Sequence, residues 1–343
     1  MSPRNRVTLA EIAEQSGVSL SAVSLVLRGK PGVGPETRQR VLSVAKELGY
    51  IPKNGAQRGS RLTNIGLILK AEPDSVPQAN QFYSHVLAGI EAACRQQQFN
   101  LLYATMSVDQ DSHPLELPRM LLEENTVDGL LFVGAFLDDT ITQVVERRSI
   151  PIALVDAYAA SDLYDAVVSD NLEGARQAVT NLIQQGHRHV GFVGSHPQAY
   201  PSIRDRRQGY VQALQGNGIA DLYFADCHIV NRGEILESTT NLLRENPQIT
   251  ALFGANDEVT IAAMDAAQAL GSRIPDDISF MGFDDIALAE SITPPLTTMH
   301  VDKIGMGRLA VQLLINRVEY PESNPVTIII HPHLVERHSI RSI

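Results

Sequence analysis

From Ile65 onward, short and nearly continuous apolar runs alternate with longer amphipathic stretches. Apolar runs of this kind are typical of strands buried on both faces of a parallel sheet. The predicted strands are 65–69, 100–105, 129–134, 150–157, 189–194, 251–256 and 278–283, and the predicted helices include 84–97, 171–185, 204–217, 234–246 and 258–270. The alternation predicts a doubly wound α/β core, and the strands are too many for one sheet, so we expect two lobes with a cleft between them.

The first 51 residues have another pattern, with apolar positions three and four residues apart. Thr8 and Glu11 fit a capping box that begins a helix, and Gly17 stands where a left-handed cap would end it. Ser19 can cap a second helix, and Pro35 suits the first turn of a third. Three short helices with a tight turn between the first two predict a helix-turn-helix.

The second of these helices turns hydroxyls, aliphatic side chains and one arginine away from its apolar side. Such a face fits the major groove of DNA, and Arg38 or Arg40 can reach phosphates. The predicted DNA contacts of this unit are Ser19, Leu20, Ser21, Ser24, Leu25, Arg28 and Arg38.

Charge is distributed unevenly along the chain, whose net charge is −11. Residues 1–62 hold ten Lys and Arg against four Asp and Glu, a net charge of +6, and the remainder holds 18 against 35, a net charge of −17. A basic segment on an acidic chain indicates that one end meets a polyanion. Because the basic segment is also periodic, a solvated basic tail does not explain it.

The remaining bulk features fit a cytoplasmic protein. Cys94 and Cys227 are far apart in sequence and form no C-x-x-C pair, and free thiols suit a reducing compartment. No apolar segment follows Arg4 and Arg6 as in a secretory signal, and no apolar run approaches the length of a membrane span.

Two ordered motifs make the N-terminal prediction specific. The pattern V-T-x-x-x-(I/V)-A-x-x-(A/S)-G-V-S-x-x-T-V-S-x-V-L matches residues 7–27 except at Ala22, and E-T-R-x-R-V-L-x-x-(A)-x-E-L-G-Y-x-P matches 36–52. Further motifs follow in the large part, including D-N-x-x-G-A-x-x-A at 170–178 and I-P-D-D-I-S-x-x-G-F-D-D at 274–285. Nearly from end to end, the chain resembles the LacI/GalR (lactose-repressor) family of transcriptional regulators.

That resemblance implies how DNA is read, and it adds Thr8, Asn54, Arg58 and Leu62 to the predicted DNA contacts. Leu20, Ser21 and Leu25 would occupy the base-reading positions, where many members carry Arg in place of Leu25. An aliphatic side chain cannot make the bidentate contact to guanine but packs on a thymine methyl group. In the family a hinge helix wedges a leucine into the minor groove; here Gly59 stands at that position, and Leu62 is the candidate wedge that is left. Gly55 and Gly59 each cost a helix about 1 kcal/mol, so we do not expect a regular hinge helix.

Ligands of doubly wound sheets bind beyond the carboxyl ends of the strands. Carboxylates, amides and arginines at those ends suit a polar, hydroxyl-rich ligand; the alternative for Asn171 and Asp257 is a simple helix-capping role. The resemblance implies two lobes like those of a periplasmic sugar-binding protein, and Val301 stands where some members make a polar contact. The implied effector contacts are Phe82 or Tyr83, Asp156, Asp170, Arg206, Asn256 and Asp284, with His228 near a stacking aromatic position.

Together these features predict a DNA-binding domain (1–51), a hinge or linker (52–64) and an effector-binding and dimerisation core (65–343). The first lobe would comprise about 65–165 and 293–325, and the second about 166–292 and 326–343. By analogy with the family, dimerisation would use the helices 84–97, 115–125 and 304–317. A twofold dimer needs a pseudo-palindromic operator.

The predicted function is a bacterial transcriptional regulator, a repressor whose affinity for double-stranded DNA is switched by a sugar or sugar derivative. It would be nucleoid-associated when bound to DNA. A purine or nucleoside co-repressor is the second candidate effector. A sugar-sensing binding protein without specific DNA binding is a third reading, which the helix-turn-helix disfavours.

Neither an enzyme nor a cofactor is expected. The sequence G-x-G-x-x-A at 305–310 imitates a dinucleotide fingerprint but lies far from a first βαβ unit. The H-x-H pairs at 187–189 and 331–333 lack nearby residues that would complete a metal site.

Overall fold

The computed structural model describes residues 7–27, 32–48, 62–71, 81–109, 114–123, 126–148 and 150–343. The chain divides into two compact units, Met1–Arg61 and Leu62–Ile343. Each unit has its own hydrophobic core.

The smaller unit consists of three short helices in its described residues: α1 (Leu9–Ser16), α2 (Leu20–Leu27) and α3 (Pro35–Glu47). Its core is formed by Ile12 of α1, Val23 and Val26 of α2, and Val41 of α3. Gly17 ends α1 with a φ of 67°, in the left-handed region that glycine adopts without steric cost. The predicted three-helix unit is confirmed.

In its described residues, the larger unit contains two six-stranded sheets, with strand orders β13-β7-β5-β3-β1-β2 and β14-β12-β11-β10-β8-β9. Within them, β14 is antiparallel to β12, and the other described pairs are parallel. Strands β4 and β6 pair as a small separate sheet. In chain order the strands are β1 (Asn64–Ala71), β2 (Asn100–Ser107), β3 (Gly129–Val133), β4 (Phe136–Leu137), β5 (Ile152–Val155), β6 (Tyr158–Ala159), β7 (Asp165–Ser169), β8 (Val190–Val193), β9 (Tyr223–Ala225), β10 (Ala251–Gly254), β11 (Ser279–Asp284), β12 (Thr297–His300), β13 (Thr327–Ile330) and β14 (His333–Val335).

The helices of the larger unit connect these strands. They are α4 (Gln81–Gln97), α5 (Arg119–Leu122), α6 (Asp139–Glu146), α7 (Asn171–Gln184), α8 (Pro201–Gly216), α9 (Arg232–Glu245), α10 (Asp257–Ala269), α11 (Ala287–Ser291) and α12 (Lys303–Glu319). Helices α4 and α12 pack closely because two glycines face the opposite backbone. A Cβ on Gly89 would clash with the carbonyl oxygen of Ile304, and one on Gly307 would clash with that of Val86.

Each sheet with its helices is one lobe, and the two-lobed α/β core is as predicted. The seven predicted strands are present as β1, β2, β3, β5, β8, β10 and β11, and the five predicted helices as α4, α7, α8, α9 and α10. In place of the predicted helix 115–125, the described residues contain only the single turn α5. The short strands β7, β12 and β13 were not predicted, and they decide where the lobes divide.

The predicted lobe boundaries need correction at three places. In residues 150–343 the chain passes between lobes after β7, after β12 and after β13. Strand β7 pairs with β5, and β13 pairs with β7, so both belong to the first lobe. Strand β12 pairs with β11 and belongs to the second lobe. The prediction assigned β12, β13 and most of β7 to the opposite lobes because these short strands were not predicted, and because the partner of a strand leaves no local pattern in the sequence.

Candidate functional site

Hydrogen bonds from capping side chains fix the points at which α1 and α2 of the smaller unit begin. The Glu11 backbone N–H donates to Oγ1 of Thr8 over 3.4 Å, and the Thr8 N–H donates to Oε2 of Glu11 over 2.6 Å. The Ala22 N–H donates to Oγ of Ser19 over 3.2 Å, which caps α2. Both hydroxyls serve as acceptors in these caps, and each keeps its own hydrogen as a donor.

Helix α2 turns one face into the core and the other to the outside. Leu20 and Leu25 are 54% and 37% exposed, while Val23 is fully buried. Ser19 and Ser21 are exposed beside the two leucines, and Ser24 is half-buried. The exposed face therefore combines aliphatic groups with hydroxyls, as predicted for the surface that reads DNA.

The other predicted DNA contacts are placed differently. Arg38 lies half-buried on α3, and Arg28, Asn54 and Arg58 lie outside the described residues. Leu62 is only 5% exposed and packs in the core of the larger unit beside Gly129. This corrects its predicted role as the minor-groove wedge, because a side chain in a core is not presented to DNA.

In the larger unit, Asp156 marks the end of β5. Its φ of 46° lies in the left-handed region, which is a strained conformation for a residue other than glycine. The Tyr83 hydroxyl on α4 donates to Oδ2 of Asp156 over 2.9 Å. Burial raises the pKa of Asp156 to about 6, against the opposing influence of the Arg206 charge and of the Tyr83 hydrogen bond.

Arg206 of α8 lies at the centre of a buried hydrogen-bond network in the second lobe. Its Nε donates to Oδ1 of Asn171 over 2.9 Å, Nη1 to the carbonyl oxygen of Ala255 over 2.6 Å, and Nη2 to Oδ1 of Asp284 over 3.0 Å. The guanidinium carbon lies 3.9 Å from the ring centroid of Phe283. These contacts fix the plane of the guanidinium and direct it between the strand ends.

Asp284 ends β11 and is held from its backbone as well as its side chain. Its φ of 107° is again in the left-handed region. The Lys303 ammonium, at the start of α12, donates to the carbonyl oxygens of Asp284, Asp285 and Val301. Burial raises the pKa of Asp284, while the charges of Arg206 and Lys303 oppose that rise.

Two further predicted effector residues serve as helix caps. Asp170 accepts from the Glu173 N–H over 3.1 Å at the start of α7, and Asn256 accepts from the Val259 N–H over 2.8 Å at the start of α10. The capping role considered for Asn171 and Asp257 belongs instead to these residues, one position earlier. Asn171 joins the Arg206 network.

Asp257 is fully buried behind the carboxyl end of β11. It accepts from the Thr298 hydroxyl over 2.6 Å and from the Ile286 N–H over 2.9 Å. Burial, reinforced by the charge of Asp284, raises the pKa of Asp257 to about 8. Through these buried hydrogen bonds, Asp257 connects the segments that follow β10 and β11 with β12.

Phe82 and His228 are more distant members of the predicted set. The ring of Phe82 packs edge-on against Tyr83, with 5.2 Å between centroids, and is nearly buried. His228 follows β9, where its Nδ1 lies 3.0 Å from Oε2 of Glu234 and its ring lies 4.7 Å from that of His196. The described contacts thus tie His228 to its own edge of the second sheet and not to the Arg206 network.

Tyr158 and Tyr200 join the two lobes, and sequence reasoning did not select either. The Asn171 amide of the second lobe donates to the Tyr158 hydroxyl of the first over 3.4 Å. The Tyr158 and Tyr200 rings meet edge-on at 5.4 Å. One feature of the sequence could have pointed to Tyr200. It stands just before Pro201, at the start of a helix that follows a predicted strand.

Other candidate chemistry has a structural setting. Gly305–Ala310 of the G-x-G-x-x-A match lies within α12, whose N-cap Asp302 accepts from the Gly305 N–H over 2.7 Å. No cluster of three or more His, Cys, Asp or Glu suited to a metal ion occurs among the described residues. In the same part of the chain, none of the helices combines the length and apolarity needed to cross a membrane.

Comparison with known proteins gives two family matches. Residues 8–53 match the profile described as bacterial regulatory proteins, lacI family, and residues 179–340 match the periplasmic binding protein-like domain. The Ribose operon repressor of Haemophilus influenzae is 32% identical over 341 residues, covering 98% of this chain and 99% of that protein. The HTH-type transcriptional regulator CelR of Thermobifida fusca is 30% identical over 353 residues, covering 99% and 100%. A solved CelR–cellobiose complex has a TM-score of 0.69 at 28% identity and covers 97% of this chain and 100% of its own.

Proposed function

The chain belongs to the LacI family of bacterial regulatory proteins, and from that premise we propose that a sugar bound between its two lobes switches its affinity for operator DNA. As a member of the family it is a DNA-binding transcriptional regulator. The proposal concerns which residues read the operator, which hold the effector and what the effector is. We expect the protein to act as a homodimeric repressor in the bacterial cytoplasm.

The observation that carries the effector proposal is the Arg206 network opposite Asp156. Arg206, fixed by Asn171 and Asp284, lies on the second lobe, while Asp156 ends a strand of the first lobe. Carboxylates accept hydrogen bonds and a guanidinium donates them, whereas a sugar hydroxyl does both. A ligand that contacts both sets stabilises one arrangement of the lobes, which is the requirement for a switch.

A sugar is favoured over a purine by the character of this site and by one relative. The solved CelR complex holds cellobiose. In the proposed site the fixed polar groups are carboxylates, amides and a guanidinium. The adjacent rings of Tyr83 and Tyr158, with Phe82 packed against Tyr83, would supply apolar surface for a ring face. This combination suits a neutral polyhydroxylated ring. Asp170, Asn256 and His228 are proposed as peripheral contacts.

The DNA-reading surface is proposed to be the exposed face of α2. Ser19, Ser21 and Ser24 would contact phosphates or base edges, while Leu20 and Leu25 would pack on thymine methyl groups. Thr8 and Arg38 are proposed phosphate contacts, as are Arg28, Asn54 and Arg58. Because a twofold dimer presents two such helices, the operator should be pseudo-palindromic, with half-sites about one helical turn apart.

The proposal is tested by selecting binding sites from random DNA with the full-length protein. A labelled copy of the selected site then reports operator affinity while mono- and disaccharides, sugar phosphates, nucleosides and purines are added. We expect one class of sugar to change operator affinity and to raise the thermal midpoint; a ligand at 100 times its Kd adds about 2.7 kcal/mol of stability. A response confined to nucleosides or purines would overturn the sugar assignment.

A second measurement separates the two activities. Protein lacking residues 1–61 should keep the thermal response to the sugar and lose binding to the selected site. Specific operator binding by this shortened protein would contradict the assignment of DNA reading to α2. Affinity of the full-length protein should fall steeply with salt, since each neutralised phosphate releases counterions.

A further inference from the structure

Tyr200 reaches from the second lobe into the first. It immediately precedes α8, whose second turn carries Arg206. Its hydroxyl lies 3.1 Å from the carbonyl oxygen of Ala135 and 3.1 Å from that of Asp156, both in the first lobe. The side chain is only 7% exposed, although it lies where two lobes meet.

The two acceptors belong to a well-defined piece of backbone. Ala135 follows β3 and Asp156 follows β5, and the segments beyond them pair as β4 and β6. The Tyr158 N–H donates to the same carbonyl oxygen of Ala135 over 3.2 Å. Tyr200 therefore binds the first lobe at a point that the first lobe's own hydrogen bonds hold in place.

The ring of Tyr200 adds contacts of its own. It packs edge-on against Tyr158 at 5.4 Å, and the Lys70 ammonium at the end of β1 lies 4.9 Å from its centroid. Aromatic pairs and cation–π contacts of this kind each stabilise a buried interface beyond the area they cover. If the lobes parted, the hydroxyl would lose both acceptors and the ring both partners.

From this geometry we infer that Tyr200 is an interlobe latch, which holds the two lobes together and positions Arg206 opposite Asp156. These contacts join the two lobes directly, through atoms of the chain itself. The latch makes Tyr200 a positioning residue for the effector site, and only this last step rests on the proposed function. An effector would enter when the latch opens, and its affinity would depend on how often the latch is closed.

The test compares amide hydrogen exchange in wild-type full-length protein and in Tyr200→Phe, without DNA or sugar. Phenylalanine keeps the ring and removes the hydroxyl. We expect amides in 134–138 and 156–160, which lie in the other lobe, to exchange about 2- to 12-fold faster, as the net value of one hydrogen bond predicts. Amides of β10 and β11, within the second lobe, should keep their wild-type rates.

Two further variants keep the test decisive. Tyr200→Ala also removes the ring and should accelerate the same first-lobe amides further, with wild-type far-UV circular dichroism as the check on folding. Tyr223→Phe is the matched control, since the Tyr223 hydroxyl contacts His189 and Gln248 within the second lobe. This control should leave 134–138 and 156–160 unchanged.

The latch is overturned if Tyr200→Phe and Tyr200→Ala both exchange at wild-type rates in the two first-lobe segments. Faster exchange confined to α8 would also overturn it, because that result describes a local helix start and not an interlobe contact. Since neither operator nor sugar is present, failure of the latch is distinguishable from failure of the proposed function.

Discussion

Arg206 donates from Nη2 to Oδ1 of Asp284 over 3.0 Å, and the two side chains are only 5% and 9% exposed. A buried ion pair contributes little net stability, because desolvation of both charges offsets their attraction. Removal of one partner is costly, since the other charge stays buried without compensation. We therefore infer that the pair fixes the orientation of the Arg206 guanidinium. Variants of the pair should affect stability, effector response and DNA binding to different extents.

We expect Arg206→Ala to abolish the effector response while operator binding in the absence of effector is retained. The substitution leaves Asp284 buried without its partner, so unfolding of the larger unit should become easier by about 3–5 kcal/mol. Operator titrations with and without the active sugar, together with urea unfolding, measure both effects. Arg232→Ala is the control, because its pair with Asp265 is exposed and should contribute about 1 kcal/mol or less. Loss of DNA binding with a normal effector response would contradict the site assignment.

A second prediction concerns Asp257 and pH. Burial, reinforced by the charge of Asp284, raises the pKa of Asp257 to about 8, whereas the same carboxyl group in an unfolded chain has a pKa of about 3.9. Between these two pKa values the folded chain keeps a proton on Asp257 that the unfolded chain has released. The contribution of this group to folding stability is therefore fully present below the unfolded pKa, and it is lost as the pH rises toward 8. The loss from this one group is up to about 1.4 kcal/mol per pH unit.

Asp257→Asn should flatten this dependence. The amide retains both contacts, since its oxygen can accept from the Ile286 N–H and its nitrogen can donate to the Thr298 hydroxyl, and it does not ionise. Urea unfolding at pH 5, 6, 7 and 8 should give a slope shallower than wild type by about 1 kcal/mol per pH unit. Asp277→Asn is the control, because hydrogen bonds from Arg273 lower the pKa of Asp277 to about 2, outside the range examined. Parallel slopes for wild type and Asp257→Asn would rule out this role for the carboxyl group.

The third prediction concerns operator sequence. Leu25 is exposed on α2 and carries no hydrogen-bonding group, so it should favour thymine over guanine at the base it meets. Leu25→Arg should move the selected base at one symmetric pair of operator positions toward guanine, with about 1–3 kcal/mol of discrimination. Binding-site selection with both proteins measures the change. Leu42→Arg on α3 is the control for an added positive charge, and an identical shift there would refute base reading by Leu25.

The fourth prediction addresses the join between α12 and the first sheet. Arg317 donates from Nε and Nη2 to the two carboxylate oxygens of Asp165, each over 2.8 Å, and the Val326 N–H donates to the same carboxylate over 2.8 Å. Asp165 is buried, so Arg317→Ala should destabilise the larger unit by about 3 kcal/mol or more. The similar fork between Arg273 and Asp277 is exposed, and Arg273→Ala should cost far less in the same unfolding experiment. Equal losses of unfolding free energy for the two variants would show that burial of the ion pair does not determine its effect on stability.

The local pattern of residues was sufficient to predict most of the helices and strands. The capping box of Thr8 and Glu11, the left-handed Gly17 and the exposed leucines of α2 follow from residue spacing, because caps and amphipathic faces depend on neighbours three or four positions apart. The buried strands of the core are equally local, since a parallel strand covered on both faces reads as an apolar run. Asp156 and Asp284 could be proposed for the site because strand ends are visible in sequence.

Contacts between residues that are distant in the sequence were not predictable in this way. The assignment of β7, β12 and β13 to lobes depends on pairing with strands up to 161 residues away, as the pairing of Thr327 with Ala166 and of Ile328 with Val167 illustrates. These short strands were not predicted, and even a predicted strand does not reveal its neighbour in the sequence. Leu62 looked like an exposed linker residue, yet it packs against Gly129.

The sequence by itself determined that this chain is a basic three-helix DNA-binding unit followed by an acidic, doubly wound core, because helix caps, periodicity and charge are properties of short segments. Only the tertiary structure decided that Arg206 is shared between Asn171, Ala255 and Asp284, and that Tyr200 bonds across the lobes to Ala135 and Asp156. Those contacts join residues 35 to 78 positions apart in the first case and 44 to 65 in the second. Contacts over such separations form only when the whole fold has brought the strand ends to one edge, which is why the effector site belongs to the tertiary structure.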